Sequence, residues 1–149
     1  MFNTSCTFKN RRKKMSKYVI SLQLAIIPLF FYPLYSYEFQ GKHFFASYRK
    51  CDEYSLRNIT QLLTIFEKAV ESTGATILTC DYKNFSNDGI TIFIVLSESH
   101  ASIHTYPEHC ACFVDLFTCG DHCLHEPFDQ ILTQYLQPKE ISHELHVRK

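Results

Sequence analysis

The chain has little of what usually announces a function. It carries no formal net charge, with 15 basic and 15 acidic residues, so the total favours neither nucleic acid nor an acidic partner. The balance is uneven along the chain. Residues 1–17 hold six bases (Lys9, Arg11, Arg12, Lys13, Lys14 and Lys17) and no acid, leaving nine bases against fifteen acids in the remainder, or −6. A mildly acidic body argues against nucleic-acid binding as the main activity. Repeats and low-complexity tracts are absent, and so is the tight Cys-x-x-Cys spacing of zinc ribbons. An unbroken apolar run of membrane-spanning length is missing too. The uncharged stretch Val19–Ser36 is short for a bilayer and is interrupted by Pro28 and Pro33.

What is present divides in two. Residues 1–38 run basic, then apolar, then polar, the layout of a secretory signal. Ser36 could precede a cut, although Leu34 is not small where a small residue is preferred. The alternative is translation from Met15 or later. This leader is therefore set apart as signal-like or mis-called, and any membrane contact would come through residues 1–38. Residues 39–149 are expected to form one domain, and a hydrophobic content of 46% is enough for a core without cross-links. Beyond Cys6, the cysteines are Cys51, Cys80, Cys110, Cys112, Cys119 and Cys123. Six in an exported domain would suggest disulfides. But Cys80, Cys110 and Cys112 fall inside strand-like runs, where thiols act as small apolar groups, so reduced cysteines in a cytoplasmic protein are expected.

Periodicity predicts a first strand at Gly41–Arg49 and a helix over Ser55–Ser72. In the helix Ile59, Leu62, Leu63, Phe66, Ala69 and Val70 recur at three- and four-residue steps before Gly74. Strands Thr76–Ser86 and Ile90–Ser97 flank Asn87-Asp88-Gly89, a strong hairpin signal. A further strand at Cys110–Cys119, a helix at Asp129–Gln137 and an edge strand at Ile141–Val147 complete the order β-α-β-β-β-α-β. This is an α+β pattern, a two-layer α/β sandwich with a mainly antiparallel sheet and two helices on one face. Two strands are apolar on both sides: Ile90, Ile92, Ile94 and Leu96 oppose Phe93 and Val95, while Cys110, Cys112, Val114 and Leu116 oppose Ala111, Phe113 and Phe117. Two helices cover only one face, so the other is expected to pair with a second copy, giving a homodimer.

The chemistry-bearing residues crowd into "VLSESHASIHTYPEH", Val95–His109. Three uses are open. A metal could bind His100 and His104, or Cys119 and Cys123, each pair four apart, although neither lies in a convincing helix. Cys119 could be a nucleophile activated by His104. Or the chain could cut itself. In a strained turn the Ser99 hydroxyl can attack the Glu98 carbonyl, and the ester so formed can eliminate. Hydrolysis then leaves a pyruvoyl group, given a base such as His104 and an oxyanion donor.

"SESHASIHTYPE", then "VDLFTCGD", together with "GKHFFASYRKCD", "GATIL…FSNDGIT" and the Pro127–Leu136 segment, closely resembles the bacterial and archaeal type of S-adenosylmethionine decarboxylase, over roughly residues 41–148. The resemblance implies autocleavage between Glu98 and Ser99, with Ser99 becoming the pyruvoyl cofactor that holds substrate as a Schiff base. It implies His104 as the processing histidine, Thr91 as its assisting hydroxyl and Cys119 as the proton donor. Phe85 and Glu108 would bind the adenosyl group, and no metal is implied. The product would be the aminopropyl donor for spermidine synthesis. The chain departs from the family at Tyr106, which stands where tryptophan is usual, and at Cys123 and His125, which make Cys119–Cys123 oxidation conceivable. The leader has no counterpart in the usual form. A cytoplasmic place is implied, with export or anchoring as the alternative if the leader is genuine. Competing readings are the same chemistry on arginine or ornithine, an unprocessed binding or regulatory paralogue, and a zinc-binding module.

Overall fold

The structure, a computed structural model, describes residues 39–119 and 122–149; the leader lies outside them. The elements run β1 (Gly41–Arg49), α1 (Glu53–Arg57), α2 (Ile59–Glu71), β2 (Ile77–Asn84), β3 (Ile90–Leu96), β4 (Ser99–Tyr106), β5 (Ala111–Thr118), α3 (Glu126–Leu136) and β6 (Glu140–Arg148). A 3-10 turn at Pro107–His109 joins β4 to β5. The six strands form one antiparallel sheet in the order β2-β3-β4-β5-β1-β6. The expected α+β sandwich is therefore the fold, with Cys110 outside the strands at a positive φ of 47° just before β5 and three larger differences in detail.

The first difference is β4, which periodicity left outside the strands. Its covered side holds Ala101, Ile103 and Thr105, and its other side holds His100, Ser102, His104 and Tyr106. With so few large apolar residues, its pairing to β3 and β5 rather than its own pattern makes it a strand. Second, the predicted helix Ser55–Ser72 is two helices. Asp52 caps α1 by accepting from Ser55 N–H at 2.9 Å, and Asn58 caps α2 by accepting from Gln61 N–H at 3.1 Å. An asparagine that satisfies a free helical N–H begins a new helix rather than continuing the old one. Third, α3 begins three residues before Asp129, at Glu126, because Pro127 suits the first turn of a helix.

One side of every central strand is buried against the helices. Ile90, Ile92, Ile94 and Leu96 of β3 meet Ala101 and Ile103 of β4, with Cys112, Val114 and Leu116 of β5 and Phe44, Ala46 and Tyr48 of β1 beyond. Leu62, Phe66, Ala69 and Val70 of α2 and Phe128, Leu132 and Leu136 of α3 cover them. Each of the larger side chains contributes about 1.5–3 kcal/mol by leaving water. The buried Tyr48 hydroxyl donates to Asp129 at 2.5 Å, and His143 lies 3.5 Å from the same carboxylate, so β1, α3 and β6 are tied together. Burial, with that carboxylate next, drives the Tyr48 phenol well above its ordinary range. The six cysteines from Cys51 to Cys123 are free thiols.

The other side has no covering layer. Phe93 and Phe113 are 43% exposed, Tyr106 39% and Val95 36%, which makes this an open apolar face rather than a solvated one. His100 is stacked on Phe93 at 5.6 Å within it. Burial, followed by the nearby His43, holds the His100 imidazole below its ordinary pKa. Among the described residues no helix is long and apolar enough to cross a membrane.

Candidate functional site

The sheet gathers the candidate residues into two groups at opposite ends of β4. The first lies at the turn between β3 and β4. Here β3 ends at Leu96 and β4 begins at Ser99, so Ser97 and Glu98 form a tight reversal. Glu98 is clamped from both its side chain and its carbonyl. Its carboxylate accepts from Thr76 N–H at 2.9 Å, and its carbonyl oxygen accepts from Cys119 N–H, also at 2.9 Å. Ser99 adopts φ 151°, a backbone setting that side chains rarely tolerate. Holding a non-glycine residue there costs on the order of 1–3 kcal/mol. Strain and polarisation thus meet at one peptide bond, Glu98–Ser99.

Cys119 follows β5 directly and is partly exposed. Its thiol faces the open side beside Gly41, where an added Cβ would strike the Phe117 ring and come within 3.6 Å of the sulfur. Cys123 turns the other way. It is 3% exposed, lies with Phe44, Leu116 and Thr118 on the covered side, and has its thiol raised by burial and by Glu98. The two sulfurs therefore lie on opposite faces of the sheet, an arrangement that does not favour a disulfide between them.

The second group lies at the far end. Thr91 and His104 are register partners on β3 and β4, and Thr91 Oγ1 hydrogen-bonds to His104 Nδ1 at 3.0 Å. The Asp-Gly hairpin sets the next residues. Phe85 N–H donates to the Gly89 carbonyl at 2.9 Å, and Asp88 takes a positive φ of 61° at the tip. Phe85, Asn87, Gly89, Thr91, His104, Thr105 and Tyr106 line a cavity of about 400 Å³. Glu108, on the 3-10 turn, joins this end through a 3.2 Å hydrogen bond from Asn87. A hydroxyl–imidazole pair beside an aromatic ring and a carboxylate can move a proton and hold a polar, ring-bearing ligand.

The groups do not meet within one chain. Ser99 and His104 are five residues apart on an extended strand, a separation of about 17 Å. His100 and His104 are likewise spread along the strand by about 13 Å rather than stacked as on a helix. Among the described residues no cluster of three His, Cys, Asp or Glu is placed to hold a metal ion. In the sequence Asn87 stands out only as a turn residue and Tyr106 only as a departure from a pattern. Nothing in the local sequence ties either to Glu108 or to the cavity.

Comparison with known proteins adds an independent line. Residues 42–149 match the family model described as S-adenosylmethionine decarboxylase. A relative from Pyrobaculum aerophilum named S-adenosylmethionine decarboxylase proenzyme is 41% identical over 103 residues, which is 68% of this chain and 82% of that protein. One of the same name from Fervidobacterium nodosum is 43% identical over 82 residues, covering 55% of this chain and 60% of its own. The crystal structure of an adenosylmethionine decarboxylase from Aquifex aeolicus superposes with a TM-score of 0.67 at 30% identity, over 73% of this chain and 90% of that one.

Proposed function

Because the chain belongs to the S-adenosylmethionine decarboxylase family, we propose that it is a self-processing, pyruvoyl-dependent decarboxylase of S-adenosylmethionine. The observation that carries the reading is the Glu98–Ser99 bond, with its positive φ at serine and its carbonyl already bound by Cys119 N–H. Attack by Ser99 Oγ on that carbonyl would place negative charge on the oxygen that this N–H faces, as an oxyanion donor should. Collapse moves the acyl group from nitrogen to oxygen and relieves the strained backbone. Removal of the Ser99 α-proton then expels the Glu98 carboxylate. Tautomerisation and hydrolysis release ammonia and leave a pyruvoyl group at the head of the 99–149 chain. Such a group supplies an electron sink for decarboxylation of an α-amino acid.

Thr91 and His104 are suited to the proton transfers, yet about 17 Å of strand separates His104 from the Ser99 of its own chain. A second copy packed on the open face of Phe93, Val95, Tyr106 and Phe113 supplies the solution. The homodimer would bring Thr91 and His104 of one chain to Ser99 and Cys119 of the other. Phe85 then offers a ring to the cationic sulfonium and adenine, and Glu108 a carboxylate to the adenosyl hydroxyls. Cys119, beside the bond that breaks, is the proton donor to the former α-carbon. The product would feed spermidine synthesis, and because the substrate is a cytosolic metabolite the reading carries a cytoplasmic location.

Release of labelled carbon dioxide tests the substrate. Carboxyl-labelled S-adenosylmethionine should give gas, while labelled arginine and ornithine should not. Gas from either of the latter alone would overturn the substrate assignment.

A further inference from the structure

Glu108 is not held by its own element. It lies on a three-residue 3-10 turn and is exposed, so nothing in that turn fixes the direction of its carboxylate. The β2–β3 hairpin does. Asn87 Nδ2 donates to Glu108 Oε1 at 3.2 Å, while Asn87 Oδ1 accepts from Gly89 N–H at 3.3 Å. These two bonds set the amide one way round, because a flipped amide would turn an acceptor toward the carboxylate and a donor toward an N–H.

The tip itself is anchored on both sides. A Cβ at Gly89 would sit 3.1 Å from the Thr105 carbonyl, so the glycine allows the hairpin to seat against β4. Arg57 reaches from α1 to Asp88 at 2.7 Å and is braced by Glu53 at 2.8 Å. Asn87 is thus a fixed donor at the rim of the cavity that also holds Phe85 and His104.

We propose that Asn87 is a positioning residue for the nucleoside part of the ligand. By occupying Glu108 Oε1 it leaves Oε2 to accept the vicinal sugar hydroxyls and removes the rotational freedom the carboxylate would otherwise lose on binding. This rests on the reading that the chain binds S-adenosylmethionine. Asn87 bonds to Glu108 and Gly89 and not to the Thr91–His104 pair proposed for self-cleavage, so its loss should affect binding and leave self-cleavage intact.

Two variants separate this role from that of a turn residue. Asn87→Asp keeps the acceptor for Gly89 N–H but sets a carboxylate against Glu108, whereas Asn87→Ala removes both bonds. Binding of adenosine and of 2′,3′-dideoxyadenosine is measured by calorimetry on the full-length, uncut Ser99→Ala protein. Each Asn87 variant is added to that background, and cleavage is followed in the Ser99 parent. Both variants should weaken adenosine about tenfold, the loss of one charge-assisted bond. Dideoxyadenosine binding, cleavage and the Asn87→Asp melting temperature should stay at parent levels. Adding Glu108→Gln to either variant should cost little more. Equal loss of both nucleosides, or parent-like adenosine binding by Asn87→Asp, would overturn the proposal, as would a parent that binds no adenosine. If adenosine discriminates as expected but the Ser99 parent releases no carbon dioxide from S-adenosylmethionine, the positioning role stands and the assigned reaction falls.

Discussion

Mixing two inactive variants gives a sharp test of how the site is assembled. Ser99→Ala removes the proposed nucleophile, and His104→Ala removes the proposed base, so each chain alone should stay uncut. Within one chain the two groups are about 17 Å apart, against the roughly 3 Å that proton transfer requires. No rotamer change spans that gap. In a mixed dimer, however, the His104→Ala chain offers its Ser99 to the intact His104 of the Ser99→Ala chain. Equal co-expression with random pairing puts roughly half of all chains in mixed dimers. About half of the His104→Ala chains should therefore be cut, and none of the Ser99→Ala chains. Different tags on the two chains allow the fragments to be counted by denaturing electrophoresis and mass spectrometry. If His104→Ala remains uncut in the mixture, or is cut equally well alone, the shared site is wrong.

Three further outcomes are expected. Cys119→Ser keeps the backbone N–H on the Glu98 carbonyl and should still cleave, but decarboxylation should fall by about 10²–10⁴-fold in kcat, the usual share of a general acid. Tyr48→Phe leaves Asp129 without its buried donor and should cost about 1–3 kcal/mol, read as a drop in Tm with the sheet retained by circular dichroism. His100 has a folded pKa below its unfolded one, so protonation favours the unfolded state. The folded state should therefore lose stability as pH falls from about 6.5 through the lower folded value, and His100→Phe should flatten that part of the Tm–pH curve.

Much of the architecture was legible because large apolar residues alternate where the sheet is covered. Ile90, Ile92, Ile94 and Leu96 mark β3, Asn87-Asp88-Gly89 marks the hairpin, and Phe93 with Phe113 discloses the open face by pattern alone. β4 was hidden because His100, Ser102 and His104 read as loop chemistry, and only pairing to β3 and β5 reveals them as strand residues. That omission also hid a distance. Ser99 and His104 look adjacent in sequence, yet an extended backbone carries them to opposite ends of the sheet. The Asn87–Glu108 bond spans 21 positions between a hairpin tip and a 3-10 turn, and no local pattern encodes such a contact. The strained φ at Ser99 is likewise a property of the folded turn, which residue identity alone does not disclose.

The central claim is that the Glu98–Ser99 bond is made to break, and the intact mass of the purified full-length protein tests it. The account predicts two fragments divided at that bond. The 99–149 fragment should be lighter by one ammonia than its serine form, and borohydride should add two hydrogens to it. An uncut chain, or a fragment beginning with unmodified serine, would contradict the account.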